Sequence, residues 1–226
     1  MKSERPQVIG TVRSQDLSVS WVSESGLKDI NTDRVCILMM ANGQIRLTMQ
    51  SGTINLKGMR LTKGHVCVFA LFETNGQSEN ADAADKASEL FMNSIMKHDI
   101  TKKPANTVLK KCLSKVDKKI TKKFGNASYK AAVTAFAAKD LTACTVNGGR
   151  LFVISDNGKT SEMTSEGTEI SHIGKTWKNV MMISGGYPVV IDDIKDDLRS
   201  PITEIVSKKE LTMIPRSSSM IRVQRL

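Results

Sequence analysis

The spacing of the apolar residues changes twice along this 226-residue chain, and no other feature restricts its fold as much. Up to residue 72 the apolar residues alternate with polar ones or form short continuous runs, as they do in strands. Between residues 80 and 124 they recur at the spacing of an amphipathic helix, and strand patterns return after residue 130. This order is not the alternation of a parallel βαβ sheet. It predicts an α+β fold in which antiparallel sheets are flanked by helix pairs.

The predicted strands are short and are separated by turn residues. The clearest turn is Asn42-Gly43, which predicts a hairpin over residues 34–49. Residues 156–179, by contrast, are polar and only weakly periodic. The other strands are expected at residues 17–22, 66–72, 131–138, 141–146, 150–155, 180–184 and 220–226.

Two predicted helices follow one another in the middle of the chain. The first covers residues 80–98, and the second begins at Pro104 and ends at Gly125-Asn126. A third, interrupted helix is expected over residues 192–209. No internal repeat or low-complexity segment divides the sequence, so we expect a single domain over residues 1–226.

The composition excludes several classes of protein. Hydrophobic residues make up 40% and charged residues 25%, which excludes disorder throughout. No apolar run approaches the roughly 20 residues that span a bilayer, and the polar start of the chain lacks the apolar segment of a secretory signal. The four cysteines are far apart and form no zinc-binding pair. Buried thiols in a reducing, cytoplasmic compartment are therefore expected.

Basic residues outnumber acidic ones by 33 to 23, and the net charge of +10 favours acidic partners. An aromatic content of 4% argues against a stacking surface for single-stranded nucleic acid. The charge is concentrated in the second helix. Lysines four residues apart in this helix, such as Lys111 and Lys115, repel each other, and an acidic partner would offset the repulsion. We take seven of its lysines as candidate partner-binding residues, the alternative being an ordinary solvated helix face: Lys110, Lys111, Lys115, Lys118, Lys119, Lys122 and Lys123.

Six short segments carry a resemblance to a known family. They are SGLKDINTDR at 25–34, VFALFETNG at 68–76, AAVTA at 131–135, LTACTVNGGR at 141–150, VMMISGG at 180–186 and SSSMIRVQRL at 217–226. In this order they resemble the motifs of the type-2C, metal-dependent (PPM) serine/threonine phosphatases. The resemblance implies two packed antiparallel sheets flanked by helices, in a version shortened between about residues 156 and 179.

The resemblance also implies which residues occupy the family's active-site positions. Enzymes of this kind hold two hard divalent cations with carboxylate oxygens, and the cations orient a water for attack on phosphorus. Asp33 keeps one acidic position, and Glu73 stands where the family has a bridging aspartate. Lys28 stands at the phosphate-contacting arginine and Asn75 at the histidine proposed as general acid. Uncharged residues occupy the four other acidic positions, namely Thr32, Gly148, Gly185 and Ser217.

With most of the ligand charge absent, the sequence predicts a pseudophosphatase with no catalytic residues, no cofactor and no metal site. We expect a structural or scaffold module that docks to an acidic protein surface in a larger assembly, with a cytoskeletal lattice such as tubulin as one candidate, and with no membrane association. Two alternatives stay open. One is an active metal-dependent phosphatase with a remodelled site that uses Asp33, Glu73 and a carboxylate such as Asp192 or Asp193. The other is a nucleic-acid-binding protein that uses the lysine-rich helix.

Overall fold

A computed structural model of the chain describes residues 7–13, 16–24, 32–41, 44–49, 52–56, 66–74, 82–98, 103–126, 128–137, 140–185 and 217–226. The strands before the helices are β1 (Gln7–Arg13), β2 (Leu17–Glu24), β3 (Arg34–Ala41), β4 (Gln44–Met49), β5 (Gly52–Leu56) and β6 (Val66–Thr74). The helices are α1 (Ala83–Ile95) and α2 (Ala105–Phe124). The strands after them are β7 (Tyr129–Ala137), β8 (Asp140–Val146), β9 (Arg150–Ser155), β10 (Thr160–Met163), β11 (Thr168–Gly174), β12 (Trp177–Ile183) and β13 (Ser218–Arg225).

The strands form two antiparallel sheets. The six-stranded sheet has the order β1-β2-β13-β12-β9-β10, and the seven-stranded sheet has the order β11-β8-β7-β6-β3-β4-β5. Strands from both ends of the sequence pair in the six-stranded sheet, because β13 lies between β2 and β12. The predicted α+β fold with packed antiparallel sheets is confirmed.

The apolar faces of the two sheets pack on each other and form one of two apolar cores. Trp177 is fully buried there, and its ring meets that of Phe136 edge-on with 5.7 Å between the centroids. The opposite face of the seven-stranded sheet is covered by α1 and α2, which form the second core. Phe91 of α1 packs on Phe72 in this core, with 5.6 Å between the ring centroids. Both sides of the seven-stranded sheet are thus buried, which explains the continuous apolar runs of β3 and β6.

Both helices in the middle of the chain are confirmed, with α2 beginning after Pro104 and ending before Gly125. Its buried residues form the predicted stripe, namely Val108, Leu109, Cys112, Leu113, Val116 and Ile120. The predicted hairpin over residues 34–49 is also confirmed, since β3 pairs with β4. All four cysteines are buried and no disulfide joins them. The third predicted helix, at 192–209, lies outside the described residues.

Four strands were not predicted, and two of them, β10 and β11, fall in the polar stretch from 156 to 179. Each lies at an end of its sheet and pairs with one neighbour among the described strands. Backbone hydrogen bonds to that neighbour hold such a strand, so its side chains need not show the apolar alternation on which the prediction depended. The other two, β1 and β5, also lie at sheet ends.

The turn between β8 and β9 brings two backbones into close contact. Asn147 and Gly148 have φ values of 50° and 85°, which Asn and Gly adopt more readily than other residues, and the chain passes here from the seven-stranded to the six-stranded sheet. The next residue, Gly149, has no room for a side chain, because a Cβ there would lie 1.9 Å from the carbonyl oxygen of Ala131. Only glycine allows β7 to approach this closely.

We therefore expect Gly149→Ala to lower the free energy of unfolding by about 3 kcal/mol or more, since the clash is with backbone and cannot be relieved by a rotamer change. Urea unfolding would measure the loss as a lower midpoint at unchanged slope. Gly167→Ala is the matched control, because a Cβ at Gly167 meets nothing within 4 Å. An equal effect of the two substitutions would contradict the close approach of β7.

Candidate functional site

The residues placed at the family's active-site positions converge at one end of the two sheets. Thr32 and Asp33 precede β3, and Glu73 lies at the end of β6, all on the seven-stranded sheet. Gly185 follows β12 and Ser217 precedes β13, both on the six-stranded sheet. We call this group the Asp33 site. Lys28, Asn75, Asp192 and Asp193 lie outside the described residues.

Asp33 is the centre of the site and is only 1% exposed. The buried hydroxyls of Ser219 and Ser184 lie beside its carboxyl group and favour the ionised form. Burial raises the pKa of Asp33 from 3.8 to about 7, and the nearby charge of Glu73 contributes in the same direction. The two serine hydroxyls and the charge of Arg34 oppose this shift without cancelling it. Near neutral pH, Asp33 is therefore partly protonated.

Serine side chains surround Asp33 from the six-stranded sheet. The hydroxyl of Ser184 accepts a hydrogen bond from the backbone N–H of Ser219 at 2.8 Å. The hydroxyl of Ser219 meets that of Ser23 at 2.6 Å. Hydroxyl groups both donate and accept, so they can satisfy a buried carboxyl in its neutral or ionised form without adding charge.

Thr32 and Ser217 form a contact between the sheets in which neither side chain is charged. The backbone N–H of Thr32 donates to the hydroxyl of Ser217 at 2.9 Å, and the two side-chain oxygens lie 3.2 Å apart. Both residues stand at positions where the resemblance implies a carboxylate. The two hydroxyls satisfy each other instead.

Glu73 is held by backbone. The N–H of Gly185 donates to Glu73 Oε2 at 2.9 Å. A Cβ at Gly185 would lie 2.9 Å from Oε1 of the same carboxylate, so a side chain there would displace Glu73 from its present position. The aspartate that the family has at this position therefore does not fit beside Glu73 as it now lies.

Gly148 adjoins the same end of the sheet without contributing a functional group. A Cβ at this residue would approach the aliphatic chain of Lys130 at 3.8 Å. Lys130 is the direct cross-strand neighbour of Glu73 in the β6–β7 pair. The charged side chain next to Gly148 is therefore that of Lys130.

The seven candidate partner-binding lysines are all exposed on α2. None of them forms an ion pair with an acidic residue in the described part of the chain. Four of them follow one another at spacings of four, three and four residues, so they lie along one side of the helix. We call these four the lysine ridge: Lys111, Lys115, Lys118 and Lys122. Lys110, Lys119 and Lys123 lie to either side, and the ammonium group of Lys123 sits 4.7 Å from the ring centroid of Phe124.

The pKa of His98, which follows the end of α1, responds to the positive charge of this surface. Partial burial lowers its pKa below 6.5, and the positive charges of Lys111, Lys103 and Lys115 lower it further. The lysines therefore leave an uncompensated positive potential at their surface. Neither described helix is long and apolar enough to cross a membrane.

No protein-family model matches this chain, and no curated protein sequence does. Its structure, however, matches solved structures along nearly the whole length. RsbX in complex with magnesium superposes with a TM-score of 0.66 at 14% identity, over 97% of this chain and 100% of RsbX. The catalytic domain of the serine/threonine phosphatase PstP with two manganese ions gives a TM-score of 0.59 at 15% identity, over 93% and 99%. Serine-threonine phosphatase 2C from Toxoplasma gondii gives 0.61 at 6% identity, over 98% and 100%.

This is the PP2C phosphatase fold. The match confirms the resemblance found in the six sequence segments at the level of fold, which is all that identities this low establish. On this fold, a pair of divalent cations would have to bind between the strand ends that form the Asp33 site.

The described residues of this PP2C-like chain do not fit a pair of cations. Asp33 and Glu73 are the two carboxyls that meet at the Asp33 site, and burial favours the neutral form of Asp33. No group of three or more histidine, cysteine or acidic side chains lies close enough to hold a metal anywhere in the described ranges. Two dications at one site repel each other unless several carboxylates surround them. Hydroxyls and a backbone N–H occupy the other ligand positions instead.

Sequence analysis missed the serines that surround Asp33. Ser23, Ser184 and Ser219 lie in or beside strands, where polar residues are commonly assigned to the solvent face. A usable signal was the run of three serines at 217–219, directly before the apolar residues of the last predicted strand. The structural role of Thr74 was also not predicted. Its hydroxyl accepts a hydrogen bond from the N–H of Ala84 in the first turn of α1 at 3.3 Å.

The raised pKa of Asp33 predicts how stability depends on pH. Because the folded state binds this proton more tightly than the unfolded chain does, stability is greatest below about pH 4 for this group and falls as the pH rises towards 7. The shift from 3.8 to about 7 corresponds to roughly 4 kcal/mol at 1.36 kcal/mol per pKa unit. Asp33→Asn, which mimics the neutral form, should remove this loss and unfold at higher urea than the wild type at pH 8.

Urea unfolding at several pH values between 4 and 8 would measure both curves. Asp156→Asn, which alters an exposed carboxyl, should keep the wild-type dependence on pH. Parallel curves for the wild type and Asp33→Asn would contradict the assignment of the buried proton to Asp33.

Proposed function

We propose that this protein is a pseudophosphatase, a PP2C-like module that has kept its fold without phosphatase chemistry. The observation that carries the proposal is the set of protein groups that contact the two carboxyls of the Asp33 site. Asp33 is enclosed by serine hydroxyls, and Glu73 accepts a backbone N–H from Gly185. A cation bound to these carboxyls would have to compete with the protein groups that contact them now.

The electrostatics of the site support the same conclusion. A hard divalent cation binds ionised carboxylate oxygens, and a neutral hydroxyl is a far weaker ligand. Binding at the Asp33 site would require an ionised Asp33, and it would break the bond between Glu73 and Gly185. The remodelled-phosphatase alternative depends on Asp33 and Glu73 lying near each other, and it makes the opposite prediction for metal binding.

We propose further that the lysine ridge docks this module on an acidic protein surface within a larger assembly, for which tubulin is our first candidate. Lysines that repel each other on one helix gain stability when acidic groups are brought close. The ridge spans 12 residues from Lys111 to Lys122, about 16 Å along the helix axis, and points away from the buried stripe. A protein surface with several carboxylates over that distance would complement it.

The first experiment is a calorimetric titration with Mn²⁺, with aryl-phosphate hydrolysis followed in the same samples. We expect no binding in the millimolar range and no turnover, because the site lacks the charge to hold two cations. The PstP catalytic domain, whose structure contains two manganese ions, is the positive control. Two bound ions with metal-dependent hydrolysis would refute the pseudophosphatase proposal and establish the remodelled enzyme.

Docking through the lysine ridge and the adjacent Lys119 predicts that Lys115→Glu with Lys119→Glu abolishes binding to microtubules in a co-sedimentation assay. The matched control is Lys159→Glu with Lys178→Glu, which changes the net charge by the same amount at exposed lysines outside α2. Because a bound acidic surface would neutralise Lys111 and Lys115, we also expect the pKa of His98, followed by NMR, to rise on binding.

Equal losses in the two double variants would show that total charge is responsible and would refute a role for the ridge. Tight binding to duplex DNA, with a steep loss of affinity as salt is raised and little sequence preference, would support the nucleic-acid alternative instead.

A further inference from the structure

A groove of about 470 Å³ lies between α2 and the edge strand β11, apart from the Asp33 site. Its two walls come from the first half of α2 and from the start of β11. Apart from Ile170 the lining is polar, and its single charge is positive. The lining residues are Asn106, Thr107, Lys110, Ser114, Thr168 and Ile170.

One backbone edge of β11 borders this groove. β11 ends the seven-stranded sheet, and β8 is its one partner among the described strands. The N–H of Asn147 donates to the carbonyl of Gly167 at 2.8 Å, which fixes the alternation of hydrogen bonds between these strands. The N–H and C=O groups of Thr168, Ile170 and His172 therefore point away from β8. An exposed edge of this kind accepts a further strand.

The lysines on the α2 wall of the groove lie along one side of the helix. Lys110, Ser114 and Lys118 follow one another at four-residue spacing, so they lie along one side of the helix. From Lys110 to Lys118 the helix rises about 12 Å, and four residues of an extended strand cover about 13 Å. Side chains of a strand alternate between its two faces, so every second side chain of an added strand would face this row.

We propose that the groove between α2 and β11 binds an extended acidic segment of a partner protein, which adds a strand to β11 and directs alternate carboxylates towards Lys110 and Lys118. This inference rests on the proposed function, since it names the kind of segment that an acidic partner would supply. A peptide brings backbone N–H and C=O groups that match the open edge, whereas a nucleic acid has no such repeating pair. Charge complementarity along α2 selects the acidic side chains.

The probe is a fluorescently labelled eight-residue peptide in which threonine and glutamate alternate. The comparison peptide has the same composition with its four glutamates contiguous. Fluorescence anisotropy should give a dissociation constant roughly tenfold lower for the alternating peptide, because its carboxylates all face one side of a strand. N-methylation of alternate backbone amides in the probe should weaken binding by about the same factor, since it removes the donors to β11 without altering the protein.

Two variants test the walls of the groove. Lys110→Glu should weaken peptide binding roughly tenfold, while Lys159→Glu, at an exposed lysine elsewhere, should change it by less than about twofold. Ile170→Pro removes one backbone N–H that points away from β8, so the β8–β11 pair is kept while a donor to the added strand is lost. Equal binding of the two peptides, or no effect of N-methylation, would overturn strand addition even if Ile170→Pro failed to fold.

The other occupants of the edge give different results. An oligonucleotide that binds more tightly than the peptide with the same dependence on Lys110 would overturn the proposal, and so would a dimer of this chain that excess peptide does not dissociate. Failure of the groove is distinguishable from failure of the proposed function. Microtubule binding that is lost in Lys115→Glu with Lys119→Glu but unchanged in Lys110→Glu would refute the groove and leave the lysine ridge as the docking surface.

Discussion

The burial of two apolar sheet faces against each other is the interaction on which the rest of this structure depends. It brings the end of β12 and the start of β13 next to the ends of β3 and β6, which belong to the other sheet. Three contacts of the Asp33 site then cross from sheet to sheet: Ser184 and Ser219 to Asp33, Gly185 to Glu73, and Thr32 to Ser217. Direct hydrogen bonds therefore join the strand ends of one sheet to those of the other.

The charge of the molecule is distributed unevenly between the Asp33 site and α2. Hydroxyl and backbone N–H groups hold the Asp33 site together with little negative charge, and burial disfavours the ionised form of Asp33. The excess of basic residues is instead displayed on α2, where seven lysines are exposed and where His98 responds to their potential.

The structural neighbours share this fold although most of their residues differ from those of this chain. RsbX and PstP, whose structures hold magnesium and manganese, share the architecture of this chain at 14% and 15% identity. Apolar patterning suffices to keep two packed sheets, because many different side chains can fill the same core. A pair of cations tolerates much less variation, because each carboxylate ligand must be present at its own position. Fold is therefore retained under substitutions that alter a metal site.

The sequence by itself determined the order of elements, the two central helices and the hairpin over residues 34–49, because apolar periodicity and local motifs reside in neighbouring residues. It did not determine the edge strands β10 and β11, which are held by backbone pairing that leaves little trace in side-chain pattern. Nor did it determine that Ser184 and Ser219 would enclose Asp33, or that Gly185 would bind Glu73. Those contacts join residues from distant parts of the chain, so only the packing of one sheet on the other decided them.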